Sequence, residues 1–456
     1  MIWTLIRKEM LDQILSIRFY VSIALAFIFL IPATYILATD YGWLHREMGP
    51  FIKEGFYTWG YGWYWLNRDI PTLRVLATGL DEELSLRSPN EAYSGPLFNE
   101  NTGYFVHNPL RYLFSNLDFV FFINIVGSLL AFAFTYDAIS GERQRGTLRL
   151  IMTNSIPRPL FLLSKWIGSY ASFVITLAPA LMGVIIVLYT HPDVSFRTSD
   201  WSATLFISLL SFLYISAFFT LGLFISCLTK SPKTTLIVLL TLWVILVLVI
   251  PNFSPFLAAK LRPVRSIHQI EAQIASLKQD ALQPFIKEQN KLMQGRQWDA
   301  LSESEKEAMG LIWSEYHRKV MKLSVGEIAR IRQAFINELQ EQAKVSQYLS
   351  FISPSASFVF LTTDIAHTGI ESERDFRRAV IRYRSQYAEY VDKYIAKTGE
   401  YTKLYRIDKN DVPNFSYREI TISQSIAAHF PHFIVLLLYS ALFFFSAQIV
   451  FMRSQL

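Results

Sequence analysis

Cysteine is nearly absent: Cys227 is the only one in 456 residues. That excludes a disulfide-stapled scaffold and a multi-Cys metal centre. Charge is scarce too. Asp, Glu, Lys and Arg make up 18 % of the chain against 52 % hydrophobic residues, where a soluble domain carries about 25 % charged residues. Glycine (19) and proline (18) are too few for a collagenous or low-complexity chain. No G-x-x-x-x-G-K-[ST] loop, no H-E-x-x-H and no G-x-S-x-G occurs, so phosphate cradling, metalloprotease and α/β-hydrolase chemistry lack their residues. No catalytic residue is expected. His429 and His432 have no third ligand to make a zinc site, so no metal is expected and they read as boundary histidines.

What is present is apolar sequence in long runs. A helix needs about 20 apolar residues to cross roughly 30 Å of hydrocarbon. Six stretches qualify: 20–39, 118–136, 166–189, 201–226, 234–250 and 430–452, and their interiors carry no Lys, Arg, Asp or Glu. The fold class expected is an all-α membrane protein with six transmembrane helices. The first run has too long a charged lead for a cleaved signal peptide. Asn124, polar within the second run, is a candidate for bonding across helices or for lining a substrate path.

The net charge of +6 reads as topology rather than nucleic-acid binding. Arg7, Lys8 and Arg18 precede the first run. Arg143, Arg145, Arg149, Arg158 and Lys165 lie in 137–165, Lys230 and Lys233 between the fourth and fifth runs, and Arg453 after the sixth. The short turn on the other side holds only Arg197. Both termini are therefore expected in the cytoplasm, with 40–117 and 251–429 outside an inner (cytoplasmic) membrane; long translocated segments escape the charge rule.

The first outer segment reads as irregular. Its aromatic run 56–65 includes Trp59, Trp63 and Trp65, suited to a headgroup-level belt or to stacking on a substrate. The second reads as a helical domain. Ile267, Ile270, Ile274 and Leu277 mark one helix face, and Pro284 is expected to kink or end that helix. Ser302 and Glu305 form a capping box that opens a second helix reaching to about 349, with Ile328, Ile331, Phe335, Ile336 and Leu339 in its stripe and Gly326 as a bending point. A third helix is expected over 372–398, closed by Gly399. The short connection 294–301 implies an antiparallel hairpin.

The loop 137–165 is the most informative segment. Leu148, Ile151 and Met152 share one face of a short helix between Gly146 and Pro157. Such a helix suits docking on a soluble partner or lying on the membrane. The string Gly141-Glu142-Arg143-Gln144-Arg145-Gly146-Thr147-Leu148, followed by Ile156-Pro157-Arg158, resembles the signature loop of the type-2 ABC exporter (ABC-2) permeases. Leu5-Ile6-Arg7-Lys8-Glu9 is similar to that family's amphipathic elbow helix, placed over 1–19. The large outer insertions resemble those of a subgroup.

The resemblance implies that Gly141, Glu142, Arg143, Arg145, Gly146, Thr147, Leu148 and Ile151 form a coupling helix seated in a separate ATPase subunit. It implies two such ATPases, a second permease chain, identical or homologous, and ATP with Mg held by the ATPases, no cofactor being bound by this chain. A periplasmic or extracellular protein is a further candidate partner. The function implied is ATP-driven export across the bilayer, with the cargo unspecified. The alternative from the residues is a membrane-anchored receptor or scaffold whose outer helices bind a ligand.

Overall fold

The computed structural model describes residues 2–54, 64–79, 87–90, 117–153, 156–398, 413–417 and 421–454. Six helices in it are long and apolar enough to cross a membrane: Ile17–Glu47, Phe119–Gln144, Arg158–Thr190, Thr198–Leu228, Pro232–Leu261 and Phe430–Arg453. Each outruns its apolar stretch, because helix formation continues into polar residues once nucleated. The first helix extends over Ile17–Glu54, 38 residues, or about 57 Å at 1.5 Å per residue, well beyond the hydrocarbon thickness.

The second, third and fourth spans meet in an aromatic core. Phe134 and Phe173 pack edge to face at 5.6 Å, and Phe173 meets Phe219 at 5.3 Å. Two spans contain single π-helical stretches, Phe122–Gly127 and Val244–Val249. The second lies just before Pro251, which lacks an N–H and crowds the carbonyl four residues back. A π-turn absorbs that misfit, so the fifth span passes Pro251 and Pro255 and ends at Leu261, not at 250.

The outer helices follow the expected stripes with two departures. Ile267–Met293 runs through Pro284, whose ring sits on the exposed face, where water can take the freed carbonyl. It closes at Gln294 and Gly295, both with positive φ. Ser302 then caps Glu303–Leu323: Glu305 N–H donates to Ser302 Oγ at 3.3 Å, and Ser302 N–H to Glu305 Oε2 at 2.8 Å. The expected bend at Gly326 is a π-turn, Ser324–Ile328, before Ala329–Ser350. Ile270, Ile274, Ile328 and Phe335 form the hairpin's own buried cluster. The third outer helix is Ile370–Thr398; its expected stop at Gly399 lies outside the described residues.

The larger departure is Pro354–Ile365, a helix with ten buried residues that the sequence reading folded into the outer domain. It packs in the span core. Phe358 stacks on Tyr214 at 4.5 Å, and Ser353 Oγ donates to the carbonyl of Leu246, midway along the fifth span, at 2.5 Å. Twelve residues are too short to cross a bilayer, but they suit a re-entrant segment. Asn124 anchors it: its Oδ1 accepts from Ser355 Oγ at 2.7 Å and from Tyr214 Oη at 2.8 Å. Among the described residues, the departure from an all-α chain is one antiparallel strand pair in the first outer segment, Tyr64–Asn67 with Arg87–Asn90.

Candidate functional site

The loop end of the spans is built from the N-terminal helix Ile2–Ile14. Ile6, Glu9 and Gln13 are its buried positions, spaced three and four apart and so on one face. That face lies on the third span, where Gly168 permits the approach: a Cβ there would come within 2.6 Å of the Glu9 side chain.

The approach brings Glu9 Oε2 within 2.7 Å of Lys165 Nζ. From the other side Glu142 Oε1 reaches the same ammonium at 3.2 Å. All three residues are buried, at 5 %, 8 % and 7 % exposure. Ser169 Oγ donates to Glu9 Oε1 at 3.2 Å, Gln13 Nε2 to the Phe134 carbonyl at 3.3 Å, and Thr147 Oγ1 to Glu142. A buried charge costs several kcal/mol unless paired and hydrogen-bonded; here one cation answers two carboxylates. From the sequence, Glu9 belongs to the N-terminal helix and Lys165 to the basic set of the loop, with nothing to pair them. The usable signal was a Lys bordering an apolar run, which marks an ion partner by default.

A second tie joins the first two spans. Arg18 grips Asp137 with both nitrogens, at 2.9 Å and 2.6 Å, and donates to the Ala133 carbonyl at 2.9 Å. Beyond it, Ser226 Oγ accepts from the N–H groups of Ile139 and Ser140 at 3.0 and 3.1 Å, and Thr235 Oγ1 donates to Ser140 Oγ at 3.0 Å. Arg143 donates to the Cys227 and Thr229 carbonyls at 3.2 and 2.7 Å, acceptors that a helix end leaves unpaired.

Each loop residue singled out by sequence now has a place. Gly141 and Glu142 are buried, Arg143 is half-buried and committed to the fourth span, and Thr147 is half-buried beside Glu142. Gly146 turns the chain with φ +75, a conformation glycine adopts without strain. Leu148 is expected to fill a partner's groove; it instead sits at 2 % exposure against Ile139, Phe161, Leu223 and Phe451, with Ile151 packed on that cluster. The 3.6-residue period identifies an apolar face but not which neighbour it meets. Outward-facing are Gln144, Arg145, Gly146, Arg149 and Leu150, the last 70 % exposed. Substituting Glu142 or Leu148 would therefore break this chain's own packing before any docking contact. A cavity of about 600 Å³ opens between the N-terminal helix and the loop, lined by Lys8, Asp12, Arg145 and Leu150 among others.

At the opposite ends of the spans, Asn124 holds the re-entrant helix rather than standing alone. Trp59 and Trp63 lie outside the described residues, as does the side chain of Trp65. His429 Nε2 lies 2.8 Å from Asp364 Oδ2, and His432 Nδ1 lies 3.2 Å from Ser357 Oγ. Both rings are buried at the start of the sixth span, packed against Pro354–Ile365. Burial disfavours the His429 imidazolium, but Asp364 outweighs it and holds the pKa above the ordinary 6.5.

Six apolar helices, fastened at one end by buried ion pairs to a charged loop, define a multi-pass membrane protein. The model for the ABC-2 family transporter proteins matches residues 3–456, and the chain belongs to that family. It is the membrane component of an ABC transporter, a transport subunit that partners ABC ATPase subunits rather than the ATPase itself. No curated protein matches it.

Proposed function

We propose that this chain is the permease of an ABC exporter and that ATP hydrolysis in two partner ATPases is transmitted through the 140–153 loop. ATP and Mg are held by the ATPases. A second permease chain, identical or homologous, completes the pathway. Both termini and the loop lie on the cytoplasmic side of the inner membrane, as the placement of Lys and Arg argues.

The observation that carries the reading is Lys165 held between Glu9 and Glu142. It makes the loop, the N-terminal helix and the third span one mechanical unit. A force on the loop cannot displace it alone without stripping a buried charge of its partner, which costs about 3–5 kcal/mol. The span bundle therefore shifts between two packings, each biased by what the ATPase contacts. The docking face is the exposed one, with Leu150 as its apolar anchor, Arg145 beside it, and Lys8 and Asp12 across the cavity.

The test is co-purification with the partner ATPase. Leu150→Asp places a charge at an anchor, and losing an anchor costs about 2 kcal/mol or more, so retained ATPase should fall by at least tenfold. Gln297→Lys, on the exposed outer connection, is the control and should retain it fully. Equal retention by Leu150→Asp and wild type would remove this loop from the interface.

A further inference from the structure

A second cavity at the loop end plays no part in the ion network. It encloses about 830 Å³ between the loop, the end of the fourth span and the end of the sixth. Arg143, Arg145, Arg149, Lys230 and Arg453 line it, and among the described residues no carboxylate does. Among the described residues none of these five has an acidic partner. This contrasts with the neighbouring cavity, where Lys8, Arg18, Arg145 and Lys165 are matched by Glu9, Asp12, Asp137 and Glu142. Five cations gathered without a counter-ion repel one another, and such a cluster calls for an anion from outside the chain.

The remaining lining says which anion. Leu228 and Ile449, 51 % and 48 % exposed, complete the wall. They lie in the last turns of the fourth and sixth spans, where the hydrocarbon layer meets the headgroups. A free phosphate would have no use for that apolar flank. A phospholipid uses both parts, its phosphate among the guanidinium groups and its acyl chains along Leu228 and Ile449. Basic pockets between spans at this level are where anionic headgroups are held.

We propose that this cavity binds the headgroup of an anionic phospholipid at the junction of the loop with the fourth and sixth spans. Arg143 is the fixed wall, since the Cys227 and Thr229 carbonyls hold it. Arg149, Lys230 and Arg453 are exposed and close on the phosphate. A lipid seated there would touch the loop and two spans together, so its presence would favour one arrangement of the loop over another. The inference goes beyond the coupling reading and does not rest on it, because Arg149, Lys230 and Arg453 do not line the docking cavity.

The experiment uses the full chain in detergent micelles, titrated with phosphatidylglycerol or phosphatidylcholine, with bound lipid counted by native mass spectrometry. Wild type should retain phosphatidylglycerol in preference. Each basic group beside an anionic headgroup strengthens binding by about fivefold, so Arg149→Gln/Lys230→Gln/Arg453→Gln should weaken that retention on the order of a hundredfold. Arg197→Gln, at the opposite ends of the spans, should change nothing. Inorganic phosphate at the same concentration should not displace the lipid. Undiminished phosphatidylglycerol retention by the triple variant would overturn the proposal. So would displacement by phosphate, which would mean a free-anion site. Loss of ATPase co-purification with lipid retention intact would mean a protein-docking face and overturn it equally. Should the triple variant fail to fold, Arg453→Gln alone carries the test: about fivefold weakening is expected, and no change refutes the site.

Discussion

The loop end and the outer hairpin both carry many charges, and they use them in opposite ways. At the loop end a buried network joins different elements: Glu9 of the N-terminal helix, Glu142 of the loop and Lys165 of the third span. In the hairpin most pairs are local, as in Lys306–Glu303, Arg318–Glu315 and Lys344–Glu341, each three residues apart on one helix, and those between elements, Arg265–Glu338 and Arg296–Glu305, remain open to solvent. Local pairs keep a helix soluble and add little. Pairs between elements fix how the elements sit, and removing one member strands the other. Charge of the same kind is thus a buried linkage in one region and a largely solvated face in the other.

The two regions should differ most at Lys165. Lys165→Met leaves Glu9 and Glu142 buried without a cation and should destabilise the protein by about 3–5 kcal/mol, read as a large fall in thermal midpoint of the full chain in detergent. A loss below about 1 kcal/mol would place this network with the surface pairs.

An intermediate effect is expected at the span ends opposite the loop. His429 is packed against Asp364, with Glu371 contributing from the next helix, the Ser425 carbonyl from its own side and His432 stacked 5.7 Å away. Its folded pKa is raised, so its contribution to stability is fully present below the ordinary 6.5 and is lost as pH rises through the folded value. The midpoint of wild type should fall relative to that of His429→Gln between pH 6 and the alkaline side of this window. A parallel pair of curves would show that the ion pair carries no pH-linked stability.

The smallest effect belongs to the hairpin. Arg318→Ala removes a pair whose members are about half exposed and should cost at most about 0.5 kcal/mol. A change comparable to that of Lys165→Met would erase the distinction between the two regions.

How far the sequence spoke differs along the same line. The spans were legible because an uninterrupted apolar run of about 20 residues has few other uses. The hairpin was legible because Ile267, Ile270, Ile274 and Leu277 repeat at helical spacing and Ser302 with Glu305 forms a local cap. The re-entrant helix was not: 354–365 is too short to register as a span, and its neighbours are polar outer helices. In the loop, Gly146 and the apolar face of Leu148 and Ile151 could be read, but not the direction of that face. Glu9 and Lys165 meet only in three dimensions, and no window along the chain contains both.

Glu9, Glu142 and Lys165 act as one buried unit binding the loop to the third span. The most direct test of that unit compares thermal unfolding of Lys165→Met with that of Glu9→Gln/Glu142→Gln/Lys165→Met. If the three form one unit, removing every charge leaves no unpaired ion, and the triple variant recovers most of the stability that the single variant loses. If the three substitutions instead add, so that the triple variant is the least stable of all, the residues are independent and the linkage described here is contradicted.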